Sequence, residues 1–257
     1  MCRSQGGPSA EAAINSNHST PSADDELKPV VGRLEKKRRA TRARLLEAAY
    51  TVMVEKGVDA ATIREITDLA DVGFGTFYNY FETKEDLASG VLDCMINGVA
   101  QRNKIMTGDI QAERPDLAMA LSTRMLIRSA HQDPTWGWWA RKPDILADRL
   151  RAGLHPFVHS HIHRAIEMGL IHIAKENVDP VLTMVIWLVV GGMRDMVMGH
   201  QPPEADSLIT EGFMRVMGLP RRTAFELANA PLPPDRPLII DFSFGHDEPE
   251  KVTSYQK

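Results

Sequence analysis

Hydrophobic side chains recur at helical spacing along most of the chain between residues 33 and 230. Leu45, Leu46, Ala49 and Met53 fall on one face and predict a helix from about Leu34 to Glu55. The period-two alternation typical of strands is absent, and prolines fall near the starts of the later helices. Those helices are predicted at about 83–106, 116–132, 134–151, 156–170, 179–199, 204–217 and 220–229. The pattern predicts an all-α protein.

Two shorter helices are predicted directly after the first one. Thr62 and Glu65 have the spacing of a capping box, so a short helix begins there. Residues 71–73 interrupt it, and Gly73 is an acceptable N-cap for a second short helix. Phe77, four residues before Phe81, then faces the core. Two short helices joined by a tight turn and preceded by a longer one form a helix-turn-helix.

The outward residues of the second short helix carry no charge and are small, aromatic or able to form hydrogen bonds. Such a surface suits the major groove of DNA, where apolar atoms meet thymine methyl groups and polar tips reach base edges. Tyrosine hydroxyls and an ammonium group near a helix N-terminus suit phosphate oxygens. The predicted contacts are Phe74, Gly75, Thr76, Tyr78, Asn79, Tyr80 and Lys84. For the two tyrosines, packing between helices is the open alternative.

The charge of the chain is unevenly distributed. The formal net charge is -4, yet residues 33–44 hold seven basic side chains against one acidic side chain. Lys37, Arg38 and Arg42 of this basic run are predicted to reach phosphates or an adjacent minor groove. A solvated helix face without a partner is the alternative. Residues 57–87 hold two basic and seven acidic side chains, so most of these acids must face away from phosphate.

The window Ala61–Leu87 resembles the DNA-binding segment of the TetR family of bacterial transcriptional repressors. Val72, the run Gly75-Thr76-Phe77-Tyr78, Phe81 and Lys84 carry the resemblance in register. The chain departs from the family at Asp71 and Gly73, where Gly and Ser are usual, and at Phe74, where a polar or basic residue is common. These departures leave its base preference open.

The resemblance implies a role for each matched residue and for the rest of the chain. It implies phosphate contacts by Tyr78 and Lys84, a position at the groove edge for Thr62 and Arg64, and positions near bases for Phe74, Gly75, Thr76 and Asn79. It also implies a homodimer whose C-terminal helices hold an effector cavity and the subunit interface. We therefore expect a repressor that a small-molecule effector releases from a near-palindromic double-stranded DNA operator.

Four segments follow from these patterns. They are a disordered N-terminal extension (1–32), a helix-turn-helix DNA-binding domain (33–87), a helical effector-binding and dimerisation domain (88–230) and a C-terminal tail (231–257). Residues 238–244 of the tail either pack on the body or form a short strand. Two cysteines, Cys2 and Cys94, and no apolar leader indicate a cytoplasmic protein with no membrane partner. No cofactor is expected.

The second predicted domain contains an unusually apolar helix, at 179–199. Because it is apolar on nearly every side, it calls for burial beyond a single-layer core, as in a four-helix bundle between two subunits. The alternative is that it forms the core of a monomer. The residues predicted to line an effector cavity are Met125, Arg128, His131, Trp136, Trp139, Phe157, His159, Met184 and Trp187. For at least two of the tryptophans at 136, 138 and 139, ordinary packing in the core is the favoured alternative.

A run of histidines offers a different chemistry. His155, His159 and His163 recur at every fourth position and share one helix face, while His161 points elsewhere. A pair at this spacing can chelate a transition metal, with a third ligand from another helix, such as His131, His172 or an acid. Surface or packing histidines, or a pH-responsive or ligand-binding role, remain open.

The histidines leave one alternative function, a metal-binding helical bundle or enzyme with a vestigial helix-turn-helix. The chain lacks paired carboxylates at Glu-x-x-His spacing, a nucleophile motif and a glycine-rich phosphate loop. We therefore expect a regulator rather than an enzyme.

Overall fold

A computed structural model describes residues 23–234 and 236–244, with side chains described from residue 32 onward except at 156 and 157. Over these residues the chain is helical without strands, which confirms the all-α prediction. The helices are α1 (Ala23–Lys56), α2 (Ile63–Leu69), α3 (Phe74–Phe77), α4 (Lys84–Gln111), α5 (Pro115–Gln132), α6 (Pro134–Ala140), α7 (Pro143–Glu167), α8 (Val178–Val197), α9 (Asp206–Val216) and α10 (Arg221–Ala228). Single 3₁₀ turns cover Lys175–Asn177 and Pro203–Ala205.

The first helix begins earlier than predicted. α1 starts at Ala23 and not at about Leu34, and residues 1–22 lie outside the described chain. Extending an existing helix adds a hydrogen bond for each residue without a new nucleus, so weak local propensity is overcome. The chain divides into two units after Arg38, and the described part of the first unit is helix alone.

The helices between residues 134 and 170 also divide at another point. The predicted break near residue 156 is wrong, because α6 ends at Ala140 and α7 runs unbroken from Pro143 to Glu167. Pro143 occupies the first turn of α7, where the missing N–H costs little. Tertiary packing of α7 against α4, α5 and α8 outweighs the poor helix propensity of proline at 156.

In the second unit, a continuous hydrophobic core joins the helix-turn-helix to the C-terminal helices. Leu45 and Leu46 of α1 are fully buried with Phe77 and Leu87, which holds α3 and α4 against α1. Farther along the chain, α5 packs against α4, α7, α8, α9 and α10. The same hydrophobic core therefore holds the helix-turn-helix against α1 and α4, and it continues into the helices that pack around α5.

The helices α8 and α9 form a closely packed hairpin, and part of its apolar surface is exposed to solvent. A Cβ added at Gly192 would lie 2.6 Å from Ile209 Cδ1, so the glycine permits close approach of the two helices. Met184 and Trp187 on α8 remain 53% and 44% exposed. By length and composition Lys175–Val197 is apolar enough to cross a membrane, a property it shares with core helices of soluble proteins, and 33% of its most apolar window is buried.

The C-terminal segment packs on the body instead of forming a strand. Leu238, Ile240 and Phe242 lie against the hydrophobic core. The ring of Phe242 stands 5.7 Å from that of Tyr50 on α1. A Cβ added at Gly98 on α4 would lie 2.8 Å from the Ile239 carbonyl oxygen. Of the two sequence-based alternatives for residues 238–244, packing is the one observed.

Candidate nucleic-acid interface and effector cavity

The turn of the helix-turn-helix keeps its geometry despite its unusual sequence. As predicted, Thr62 and Glu65 form a capping box: the Glu65 N–H donates to Thr62 Oγ1 at 3.2 Å, and the Thr62 N–H donates to Glu65 Oε2 at 3.2 Å. After α2, Asp71 has a φ of 52°. Glycine is favoured in this left-handed region, and aspartate is among the few other residues that tolerate it. Asp71 therefore fills the place where the family usually has glycine.

The helix α3, which ends at Phe77 and not near Phe81 as predicted, and the turn that follows it present the predicted uncharged surface to solvent. Phe74 and Tyr78 are 52% and 53% exposed, whereas Phe77 is fully buried. An added Cβ at Gly75 would meet nothing within 4 Å. Gly75, Thr76 and Asn79 are also exposed, Tyr80 is half-buried, and Phe81 is buried. The division into inner and outer faces is confirmed.

The exposed rings of α3 support one another. The ring of Tyr78 meets Phe74 and Phe77 edge-on, with centroids 5.8 Å and 5.2 Å apart. Such contacts restrict the side chain while leaving half of it accessible. The exposed rings of Phe74 and Tyr78 are thus packed against each other, with Tyr78 also in contact with the buried Phe77.

The basic residues of the helix-turn-helix and of the basic run differ in their contacts and exposure. Lys84 Nζ donates to the carbonyl oxygens of Asp59 at 2.8 Å and Ala61 at 3.0 Å, so two of its three donors hold the loop before α2. The Arg42 guanidinium lies over the Phe81 ring, 5.3 Å from its centroid. Arg64 of the helix-turn-helix and Lys37 and Arg38 of the first unit are exposed, and so is Thr62, whose hydroxyl belongs to the capping box of α2.

Two long-range hydrogen bonds join the helix-turn-helix to the C-terminal helices. Tyr50 Oη on α1 donates to Asp133 Oδ2 at 2.8 Å, and Trp138 Nε1 on α6 donates to Asp59 Oδ1 at 2.8 Å. Burial and the bond to Asp133 raise the pKa of Tyr50 above its usual range. Asp133 is also the N-cap of α6, because its Oδ1 accepts from the Thr135 N–H at 2.8 Å. Sequence reasoning missed both links, since no local pattern signals partners so far apart in the chain.

A cavity of about 460 Å³ lies among the C-terminal helices. Its walls are mainly aliphatic and come from α4, α5, α7, α8 and α9, including Val99, Leu126, Leu154, Leu182, Val189 and Phe213. Asn103 and Arg151 add polar groups. Asn103 is 7% exposed, and within the described residues its Oδ1 and the buried Arg151 Nε have no hydrogen-bond partner. A mostly apolar cavity with a few polar groups is typical of small-molecule sites.

The residues predicted from sequence to line this cavity lie elsewhere. Trp136 and Trp139 are in the core, as is Trp138, because large apolar rings gain most from full burial. Arg128 pairs with Asp206, and Met125 is buried outside the cavity wall. Four other predicted residues are exposed or half-buried and lie outside the cavity wall: His131, His159, Met184 and Trp187. The side chain of Phe157 is outside the described residues.

The histidine run adopts the predicted arrangement. His155 and His159 stack at 5.0 Å between centroids, and His159 Nε2 lies 3.1 Å from His163 Nε2. His161 points away from this row and contacts Gln111, and burial lowers its pKa. Asp179, from the first turn of α8, approaches His155. His155, His161 and Asp179 all line the cavity.

Two family models match the chain. Residues 45–91 match the bacterial regulatory proteins of the tetR family, and residues 114–230 match the tetracyclin repressor-like C-terminal domain. Together they cover the helix-turn-helix and the cavity-lining helices other than α4, most of which lies between the two matches. The alternative of a metal-binding bundle or enzyme with a vestigial helix-turn-helix finds no support in these matches.

Individual relatives agree with the family models. KstR of Rhodococcus jostii (strain RHA1) is 31% identical over 87 residues, covering 34% of this chain and 41% of that protein. KstR2 of the same strain is 37% identical over 51 residues, covering 20% and 25%. The chain thus matches less than half the length of these relatives, which are transcriptional repressors.

Solved structures extend the likeness to both domains. RolR in complex with resorcinol is 29% identical, with a TM-score of 0.70 over 77% of this chain and 98% of that one. RolR without ligand is 28% identical, with a TM-score of 0.68 over 75% and 99%. The chain belongs to the tetR family of bacterial regulatory proteins, which makes it a transcriptional regulator and not an enzyme.

Proposed function

We propose that this protein is a cytoplasmic repressor that binds a near-palindromic DNA operator as a homodimer and leaves it when a small molecule binds. The observation that carries the proposal is the exposed and uncharged surface of α3. Paired recognition helices related by a two-fold axis read half-sites about one helical turn apart.

The residues in and around α3 divide between contacts to bases and contacts to phosphates. Gly75 and Thr76 permit close approach to base edges, and Phe74 offers apolar atoms to thymine methyl groups. The Tyr78 hydroxyl and the third donor of Lys84 suit phosphate oxygens. Arg64 and the basic run of α1 add phosphate contacts whose strength falls with salt.

The subunit interface is proposed for the open face of the α8–α9 hairpin. Met184 and Trp187 on α8 and Leu208 on α9 are large apolar side chains that this chain leaves exposed. Packing the hairpin against its two-fold mate would form a four-helix bundle and remove these side chains from water. Such burial contributes roughly 25 cal/mol for each Å² of apolar surface.

The cavity supports an effector with an apolar ring and a hydroxyl group. Asn103 Oδ1 is an unpaired acceptor, which a ligand O–H would satisfy, and the Arg151 Nε–H is an unpaired donor, which a ligand oxygen would satisfy. The remaining wall is mainly aliphatic. RolR, whose structure contains resorcinol, supports the same class of hydroxylated aromatic compound.

The link between cavity and DNA runs through the end of α5. Met119 and Leu126 of α5 line the cavity, and the helix ends at Asp133, which accepts the Tyr50 hydroxyl of α1. An effector that shifts α5 moves this acceptor and so changes the position or mobility of the helix-turn-helix. To release DNA, the effector must bind one of the two states more tightly, and coupling of about 1–3 kcal/mol is typical.

Selection from random double-stranded DNA with the purified full-length protein tests the proposal. We expect enriched fragments with dyad symmetry, bound as two subunits per site. Fluorescence anisotropy then measures affinity across salt concentrations. Arg64→Ala should reduce the salt slope by about one, whereas substitution of another exposed arginine, Arg222→Ala on α10, should not change it. Enriched sites without symmetry, or equal salt slopes for the two variants, would contradict the proposal.

A further inference from the structure

Three groups with metal-ligating atoms meet where α7 and α8 come together. His155 and His159 lie one turn apart on α7, and Asp179 lies in the first turn of α8. One potential ligand atom from each residue falls within 4.8 Å of the other two. His155 Nε2 and Asp179 Oδ1 are 3.9 Å apart. The regulator proposed above makes no use of this cluster.

The cluster needs little movement to enclose an ion. Ligand atoms around a tetrahedral Zn²⁺, each about 2.0–2.1 Å from the metal, stand about 3.3 Å apart. The ligand atoms must therefore approach one another by up to about 1.5 Å, a movement within the reach of side-chain rotation. His155 and Asp179 have side chains that are 49% and 77% exposed, so they are free to rotate. The helices that carry them are already fixed by packing between α7 and α8.

We propose that His155, His159 and Asp179 bind a divalent transition-metal ion of the zinc class and thereby tie α7 to α8. Imidazole nitrogens favour Zn²⁺, Co²⁺, Ni²⁺ and Cu²⁺, whereas Mg²⁺ and Ca²⁺ prefer sites built from oxygen alone. Three protein ligands leave at least one coordination position open.

The site opens onto the cavity. His155 and Asp179 both line its wall, and both are partly exposed, so the ion would lie at the mouth of the cavity. The open coordination position is then available to water or to an oxygen atom of a molecule in the cavity. The proposed ion would thus fix the spacing of the two helices that frame the entrance. This inference stands independently of the DNA-binding proposal.

Cobalt and zinc titrations of tag-free, chelator-treated full-length protein test the site. We expect one Co²⁺ per chain with the visible absorption of a low-symmetry complex, displaced by Zn²⁺, and no displacement by excess Mg²⁺. His159→Gln and Asp179→Asn should each weaken binding by more than about tenfold, since even changes to outer-shell residues cost that much. His131→Gln removes an exposed histidine from α5 and should leave binding unchanged.

Circular dichroism of each variant serves as the control for folding, and because the substituted residues are partly exposed, we expect spectra equal to that of the unaltered protein. Asp179→Asn keeps both histidines, so its loss of affinity separates the three-ligand site from simple chelation by the histidine pair. The proposal is overturned if binding is not saturable at one ion per chain, or if His159→Gln or Asp179→Asn binds as the unaltered protein does. Equal weakening by His131→Gln would overturn it too, because binding would then be non-specific.

Discussion

Replacing Asp206 should destabilise the C-terminal helices more than any surface substitution. Asp206, at the start of α9, is 1% exposed, and its Oδ2 accepts from Arg124 Nε and Arg128 Nε, each at 2.9 Å. Arg124 is buried as well, and its Nη1 donates to the Ala230 carbonyl oxygen at 2.7 Å. This carboxylate therefore joins α5 to α9 and compensates a buried guanidinium.

The size of the effect follows from which partner is left behind. In Asp206→Ala the Arg124 charge stays buried without its counter-ion, and breaking a buried pair in this way costs about 3–5 kcal/mol. Arg128 adds little, since its side chain is 47% exposed and water replaces the lost partner. The double variant Arg124→Met, Asp206→Leu should recover much of the loss, because it removes both charges together.

Urea denaturation followed by circular dichroism measures the loss of unfolding free energy. All variants are compared at one protein concentration, since association of subunits contributes to apparent stability. Glu226→Ala is the control, because its partner Arg222 is on the surface of α10 and the pair should matter little. A loss below about 1 kcal/mol in Asp206→Ala would refute the argument, for it would mean that the Arg124 charge is solvated or finds another partner.

Three further changes test other parts of the molecule. Asp71→Gly relieves the strain of a left-handed backbone, so thermal unfolding should show a gain of at most about 1 kcal/mol in unfolding free energy. The same change removes a negative charge beside α3, so fluorescence anisotropy should show a tighter DNA complex. Gly98→Val should displace the segment around Ile239, seen as faster proteolysis of the tail, whereas Gly108→Val, which meets nothing within 4 Å, should not. Burial lowers the pKa of His161 in the folded protein below its unfolded value of about 6.5. The unfolded chain therefore takes up a proton first as the pH falls. The stability present above pH 6.5 is lost as the pH falls from about 6.5 toward the pKa of the folded state. Denaturation at several pH values should therefore show a smaller acid-side loss in His161→Gln than in the unaltered protein.

The helix-turn-helix was predictable because its determinants are local. Thr62 and Glu65 are three residues apart, and Phe77 and Phe81 are four apart, so spacing alone determines the cap and the buried face. The cavity, by contrast, could not be predicted from local spacing. Its walls come from five helices, and its shape depends on how these helices pack, which no single stretch of sequence contains.

The tryptophans show how the environment of a helix decides between two sequence-based alternatives. Three tryptophans at 136, 138 and 139 cannot share one face of a helix, which left core packing and the lining of a cavity as alternatives. The short helix α6 buries them all, because it is covered on more than one side, by α5, α7 and α8. Two of the polar residues that reach the cavity, Asn103 and Arg151, stand within long helices and carry no local signal that distinguishes them from surface residues.

Three of the acidic residues in the helix-turn-helix have structural roles away from the surface of α3. Asp59 accepts from Trp138, Glu65 pairs with Lys56 and caps α2, and Asp86 accepts from the Glu82 N–H at 3.2 Å near the start of α4. These acids build the domain and join it to the C-terminal helices, while α3 itself carries no charge. In the proposed complex, base contacts therefore come from α3, and most of the salt-dependent attraction must come from Arg64 and the basic run of α1. Sequence preference and salt dependence should thus respond to substitutions in different segments of the chain.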